Sequence, residues 1–273
     1  SQRFSDAFQT NEDSKSSIPQ MVGDEIRIFS SNTEKVACLK QNESIVIEND
    51  SILQFIDARF AFNPLDPPIL NNCTFKVRKN SLTSIVGPSG SGKSVLIKII
   101  LGLYQLQSGS IYFEDTYMNE TTIHNVREKI AYIPQEPFIY NASISDNLTH
   151  GAFNATHEEI IELSKATGFY SIVNTHPKGF HRILNDGGTD LSGGQRQLLQ
   201  LTRALLRKPK LLLLDEGTSA LDNLTESKII DLIKSERITT LSISHRKTLI
   251  NKSTDILEFS NQKINNKGAN HDQ

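Results

Sequence analysis

Gly87-Pro88-Ser89-Gly90-Ser91-Gly92-Lys93-Ser94 reads as G-x-x-x-x-G-K-[ST], the pattern of a phosphate-binding loop. Glycines at its ends and inside let the backbone curl, so that successive N–H groups point inward at phosphate oxygens. Lys93 then reaches the β- and γ-phosphates as a point charge, and the Ser94 hydroxyl is available to Mg²⁺. The flanks fit. Leu82 to Val86 is a short β-prone run, and Val95 to Leu101 is apolar nearly all round, as a buried helix is. Strand, loop and helix are the context that such a loop requires, because the helix N-terminus places partial positive charge under the anion.

Further along, Leu211-Leu212-Leu213-Leu214 is a continuous apolar run, which predicts a parallel strand buried on both faces. Asp215-Glu216 follows it directly. An acidic pair at the end of a buried strand is costly unless a cation compensates it, so Asp215 is read as a Mg²⁺ ligand. Glu216 is placed beyond it, near the γ-phosphate. Strands are also predicted over 53–62, 73–77, 110–113, 130–133 and 239–244, and helices over 157–167, 195–207 and 224–234. Strands alternating with helices around a phosphate loop imply an α/β fold, a P-loop NTPase core with a helical insert at about 137–207.

The chain has 273 residues, enough to bury a sizeable core, and its net charge of −2 argues against nucleic acid as a partner. Cys38 and Cys73 are its two thiols, too few for a disulfide framework. No window approaches 18 apolar residues, so none is expected to span a membrane. Residues 1–48 are polar and read as a linker, with Ile26/Ile28 and Ile45/Ile47 suggesting short strand fragments at most. The start at Ser1 suggests that a longer polypeptide precedes it. A cassette is placed at 49–262, and 263–273 reads as a loose polar tail.

These motifs, with Leu191-Ser192-Gly193-Gly194-Gln195, resemble the ATP-binding cassette (ABC) ATPases, whose LSGGQ signature is matched without a mismatch. Gln135 in Ile133-Pro134-Gln135 stands at the family's Q-loop, Ser219-Ala220-Leu221-Asp222 at its D-loop and His245 at its switch histidine. The resemblance runs from about Leu53 to Gly268. Phe138 to Leu148 is similar to the exporter type, and Asp186-Gly187-Gly188 partly so, although Gly187 and Thr189-Asp190 depart from the usual residues. Phe62 stands where the family has a tyrosine that stacks on adenine, Asn80 replaces a common glycine, and Val95 a common threonine.

The resemblance implies an RecA-like core with an antiparallel β subdomain and an inserted helical subdomain. It also implies a Mg²⁺-dependent ATPase with ATP and Mg²⁺ as cofactors. Two cassettes would clamp two ATP molecules, each between Gly87–Ser94 (with Val95) of one chain and Ser192, Gly193 and Gly194 of the other, with Asp222 nearby. Ser94, Gln135 and Asp215 would hold the metal. Glu216 would act as general base, and Lys93, Gln135 and His245 would serve catalysis. The expected partners are a second cassette and a transmembrane domain of the same parent, at the cytoplasmic face of a membrane. The alternative is a soluble, non-transport ABC ATPase. A cassette that binds without hydrolysing would need damage at Lys93, Gln135, Glu216 or His245, and all four are present.

Overall fold

The computed structural model describes residues 49–152 and 154–267. The linker reading of 1–48, the isoleucine pairs within it and Cys38 lie outside the described residues.

The chain enters through β1 (Ser51–Phe60) and β2 (Leu70–Arg78), an antiparallel pair in which Phe55 faces Phe75 with stacked rings 4.6 Å apart. The sequence reading carries this first strand to Phe62, but β1 ends at Phe60, whose carbonyl accepts the Ile69 N–H at 2.7 Å and closes the hairpin. Asn80 in the next turn has φ 57°, the left-handed conformation that Asn tolerates. β3 (Leu82–Val86) leads into the phosphate loop and α1 (Lys93–Ile100).

β4 (Ser108–Phe113) returns beside β1, and β5 (Thr116–Tyr117) completes an antiparallel sheet of order β2-β1-β4-β5. α2 (Ile123–Glu128) and β6 (Ile130–Ile133) follow.

Four helices then intervene: α3 (Ile144–Thr149), α4 (His157–Thr167), α5 (Phe169–Asn174) and α6 (Gly193–Leu206). Their starts are set locally. Thr156 and Glu159 form a reciprocal capping box at α4, and Ser192 and Gln195 form another at α6. The chain closes with β7 (Leu211–Asp215), α7 (Asn223–Ser235), β8 (Thr239–Ile243), α8 (Lys247–Lys252), β9 (Asp255–Ser260) and β10 (Lys263–Asn266).

The second sheet has the order β10-β9-β3-β8-β7-β6, parallel except at β10. Every residue of β7 and β8 is buried, which is why Leu211–Leu214 carries no polar alternation. The loose tail expected from Lys263 is corrected here. Lys263–Asn266 pair with β9, Ile264 is buried in the core, and Lys267 N–H donates to the Ile256 carbonyl at 2.9 Å. The polar residues on either side of one buried isoleucine hide an edge strand from a reading based on composition.

Leu96, Ile97, Ile99 and Ile100 of α1 share one core with Phe55, Phe113, Ile85 and Leu213, so the helix behind the phosphate loop is held by both sheets. Each such side chain contributes about 1.5–3 kcal/mol by leaving water. Ile97 is fully buried, and Ile97→Ala is expected to destabilise the domain by about 2–5 kcal/mol through lost burial and the cavity left behind. Urea unfolding of the two proteins measures this; a midpoint unchanged in the variant would show that α1 does not anchor the loop.

Candidate functional site

Parallel strands place their carboxyl ends on one edge of the sheet, where open α/β folds bind ligands. Val86 ends β3 before the loop, Asp215 ends β7, Ile133 ends β6 two residues before Gln135, and Ile243 ends β8 two residues before His245. Strand order thus gathers residues far apart in sequence. Ser94 Oγ donates to Asp215 Oδ1 at 3.3 Å, and Gln135 Nε2 donates to Glu216 Oε2 at 3.1 Å. His245 Nε2 stands 3.9 Å from the other oxygen of Glu216.

The loop glycines serve different needs. A Cβ on Gly87 (φ 155°) would lie 2.3 Å from the Phe259 carbonyl oxygen, and one on Gly92 (φ 106°) would lie 2.3 Å from an Ile69 methyl. Gly90 (φ 76°) faces open space. Pro88, Ser89 and Ser91 complete the curl, and Lys93 Nζ donates back to the carbonyls of Gly87 and Pro88 at 2.9 and 2.7 Å. The Val95 side chain is half-buried and packs against the core.

Electrostatics match an anion and a cation that meet here. Burial pushes Lys93 below the ordinary lysine range, while Glu216 and Asp215 oppose that shift. Burial pushes Asp215 above the ordinary aspartate range, with Glu216 adding to the rise and Ser94, Lys98 and Lys93 acting against it. A carboxylate in that condition gains from a bound cation. A hydroxyl, a carboxylate and a carboxamide form a hard oxygen set, of the kind Mg²⁺ takes when it completes its octahedron with phosphate and water. No cluster of three His, Cys, Asp or Glu suited to a metal occurs among the described residues. Only one of these three side chains is a carboxylate, so this does not conflict with the set.

Glu216 itself has φ 53°, an uncommon conformation for a residue with a side chain, which costs of order 1–3 kcal/mol and recurs at functional sites. Its N–H donates to the Ile243 carbonyl at 3.0 Å, so the turn is tied to β8.

Phe62 is 57% exposed and stands edge-on to both Phe60 and Tyr104, each with centroids 5.4 Å away. Since Ile69 touches Gly92 and bonds to Phe60, this exposed ring is joined to the loop through two residues. It offers a base a supported face. Phe62→Ala is expected to weaken nucleotide binding by about 1–3 kcal/mol, the range for base–aromatic stacking. Titration with a fluorescent ATP analogue tests this; an unchanged Kd would assign stacking to another residue.

No hydrogen bond or ion pair among the described residues links Ser192, Gly193 or Gly194 to Gly87–Ser94. The Ser192 hydroxyl accepts from Gln195 N–H at 3.2 Å, leaving its own proton to donate. A Cβ on Gly194 would lie 3.1 Å from the Ala220 carbonyl oxygen. Asp222 is outside the Lys93 cluster as well. Its carboxylate caps α7, accepting from the N–H groups of Leu224 and Thr225 and from the Thr225 hydroxyl.

Several participants were not legible in the sequence. Burial and the adjacent Asp215 carboxylate push the Tyr132 hydroxyl up to about 12, so it stays protonated beside Asp215. Only its place on the strand before Gln135 hinted at this. Tyr104 and Ile69 carried no signal. Among the described residues a cavity of about 690 Å³, lined by Lys79, Leu163, Lys210 and Arg237 among others, opens at the amino ends of β7 and β8, across the sheet from this site.

A strand–loop–helix unit with an acidic strand end on the same sheet edge defines a P-loop nucleotide-binding domain. The sequence pattern of the ABC transporter family matches residues 70–219, more than half the chain, and the chain belongs to that family as a nucleotide-binding domain. It is 35% identical over 217 residues to the uncharacterized ABC transporter ATP-binding protein YfiB of Bacillus subtilis, covering 80% of this chain and 38% of that protein. It is 36% identical over 211 residues to an ATP-dependent lipid A-core flippase of Saccharophagus degradans, covering 76% and 36% respectively. A solved structure of a bacterial Atm1-family ABC exporter with ATP bound is similar at TM-score 0.74 and 27% identity, over 88% of this chain and 44% of that one. The chain therefore spans less than half the length of each of these relatives. Among the described residues no helix is long and apolar enough to cross a membrane.

Proposed function

We propose that this domain binds ATP with Mg²⁺ and hydrolyses it as one half of a two-cassette sandwich that powers an exporter at the cytoplasmic face of a membrane. The observation that carries the reading is the split between two groups of residues. Lys93, Ser94, Gln135, Asp215, Glu216 and His245 converge on one sheet edge, while among the described residues no hydrogen bond or ion pair joins Ser192, Gly193 or Gly194 to Gly87–Ser94. One copy thus supplies a loop without a signature and a signature without a loop, and a second copy placed head to tail completes both.

In this arrangement Lys93 leaves its two loop carbonyls to meet the β- and γ-phosphates. Ser94, Asp215 and Gln135 would hold Mg²⁺, which when bound would supply charge neutralisation for the phosphate oxygens. Glu216 takes the proton of the attacking water, with Gln135 holding one of its oxygens and His245 near the other. The Ser192 hydroxyl and the N-terminus of α6, a helix of 14 residues, favour the negative charge of the other copy's nucleotide. Phe138, 61% exposed and edge-on to Tyr140, offers an apolar ledge close to Gln135 on which a membrane-domain partner would sit. The domain boundaries that accompany this reading are a cassette from 49, with helices of the insert at about 137–207.

ATP turnover by the isolated chain, measured per molecule over a hundredfold range of protein concentration, tests it. The rate per molecule is expected to rise with concentration and to vanish with EDTA. A rate independent of concentration would remove the sandwich, and no turnover at any concentration would remove hydrolysis.

A further inference from the structure

His245 is exposed over half its side chain, and among the described residues the one polar approach to its ring is the 3.9 Å distance to Glu216. Its aim must therefore come from the backbone that carries it. The next residue holds that backbone. The Arg246 guanidinium donates to the carbonyls of Thr218 at 2.9 Å and Ser219 at 3.2 Å, to that of Leu221, and to Asn223 Oδ1 at 2.7 Å. Its Nε lies 3.1 Å from Glu226 Oε2. Glu226 is fully buried, and its other oxygen accepts from the Thr218 hydroxyl at 2.7 Å. The Arg246 N–H donates to the Ser244 hydroxyl at 3.0 Å, closing the segment on the other side of His245.

The same loop, 218–222, is gripped from its far side. Gln197 is 2% exposed; its Nε2 donates to Ser219 Oγ at 3.0 Å, and its Oε1 accepts from Ala220 N–H at 2.8 Å. Gln197 belongs to α6, whose first turn carries the signature glycines. One network, buried at Thr218, Glu226 and Gln197, thus runs from the residue after His245, through the loop, to the signature helix.

We infer that Arg246 is a positioning residue for hydrolysis, fixing His245 and the 218–222 loop as one unit that Gln197 ties to the signature helix. The inference rests on the proposed ATPase reading. The guanidinium suits the task because it presents a planar fork of donors to several acceptors at once, whereas an ammonium is a single point charge on a flexible stem. Among the described residues no hydrogen bond or ion pair joins Arg246 to the phosphate loop or to Phe62, so its effect falls on turnover and not on nucleotide affinity.

The test compares wild type, Arg246→Lys and the double variant Arg246→Met/Glu226→Met. Lysine keeps a positive charge opposite Glu226, and the double variant removes both charges, so neither leaves a buried carboxylate alone. Melting temperature, Kd for mant-ATP in EDTA, and kcat and KM for Mg²⁺–ATP are measured on each. Both variants are expected to fold, to bind mant-ATP within about twofold of wild type, and to lose about 10- to 100-fold in kcat at unchanged KM, the scale of a misplaced catalytic group. Wild-type kcat in folded Arg246→Lys and in the double variant would overturn the inference, as would a lowered melting temperature with unchanged turnover per folded molecule, which marks a structural staple only. A wild-type chain without turnover would instead remove the ATPase reading itself.

Discussion

Glu216→Gln is expected to bind ATP and to lose its hydrolysis by about 10²–10⁴-fold, the contribution of a positioned general base. The amide keeps the shape of the side chain, and Glu216 reaches its position through the backbone, with φ 53° and its N–H on the Ile243 carbonyl, so the turn survives the change. What is lost is the oxygen that takes a proton from water between Gln135 and His245. Because nucleotide is then not consumed, the variant is expected to accumulate as an ATP-bound dimer. Light scattering with ATP and Mg²⁺ measures this. A monomer that binds ATP at saturation would contradict the sandwich, and undiminished turnover would move the base elsewhere.

Lys93→Met separates function from stability in the opposite way. Lys93 is 7% exposed, and burial disfavours its charge, so the folded domain without nucleotide gains little from it. Methionine has nearly the same length and volume, and the melting temperature is expected not to fall. Charge-assisted hydrogen bonds to phosphate are each of order 1.5–3 kcal/mol, so nucleotide affinity should drop by about 10- to 150-fold. At saturating ATP, turnover should fall by about 10²–10³, the cost of deleting one donor aimed at developing charge. Calorimetric melting, a binding titration and a turnover assay on the same preparation check all three. Near-wild-type turnover would remove Gly87–Ser94 as the phosphate site.

Much of the site was legible because its parts are local. The spacing from Gly87 to Ser94 sets a loop whatever surrounds it, four leucines demand burial on both faces, and Ser192 with Gln195 carries its own helix start. Elements built on such short-range rules appear at the places expected, within a residue or two. β10 was missed for the converse reason: Lys263, Asn265 and Asn266 have no strand character of their own, and only the β9 edge recruits them.

The sequence by itself therefore determined the chemistry on offer: a phosphate loop, a metal-ready aspartate, a candidate base, a signature serine and the family to which they belong. The tertiary structure decided which of these meet. Ser94 and Asp215 are 121 residues apart and Gln135 and Glu216 are 81 apart, and strand order alone brings each pair within hydrogen-bond reach. It also turned Asp222 toward its own helix, packed the half-buried Val95 side chain against the core, and gave Arg246 three carbonyls and a buried carboxylate. Motifs follow from neighbours along the chain, whereas hydrogen-bond partners follow from packing, which no short stretch encodes.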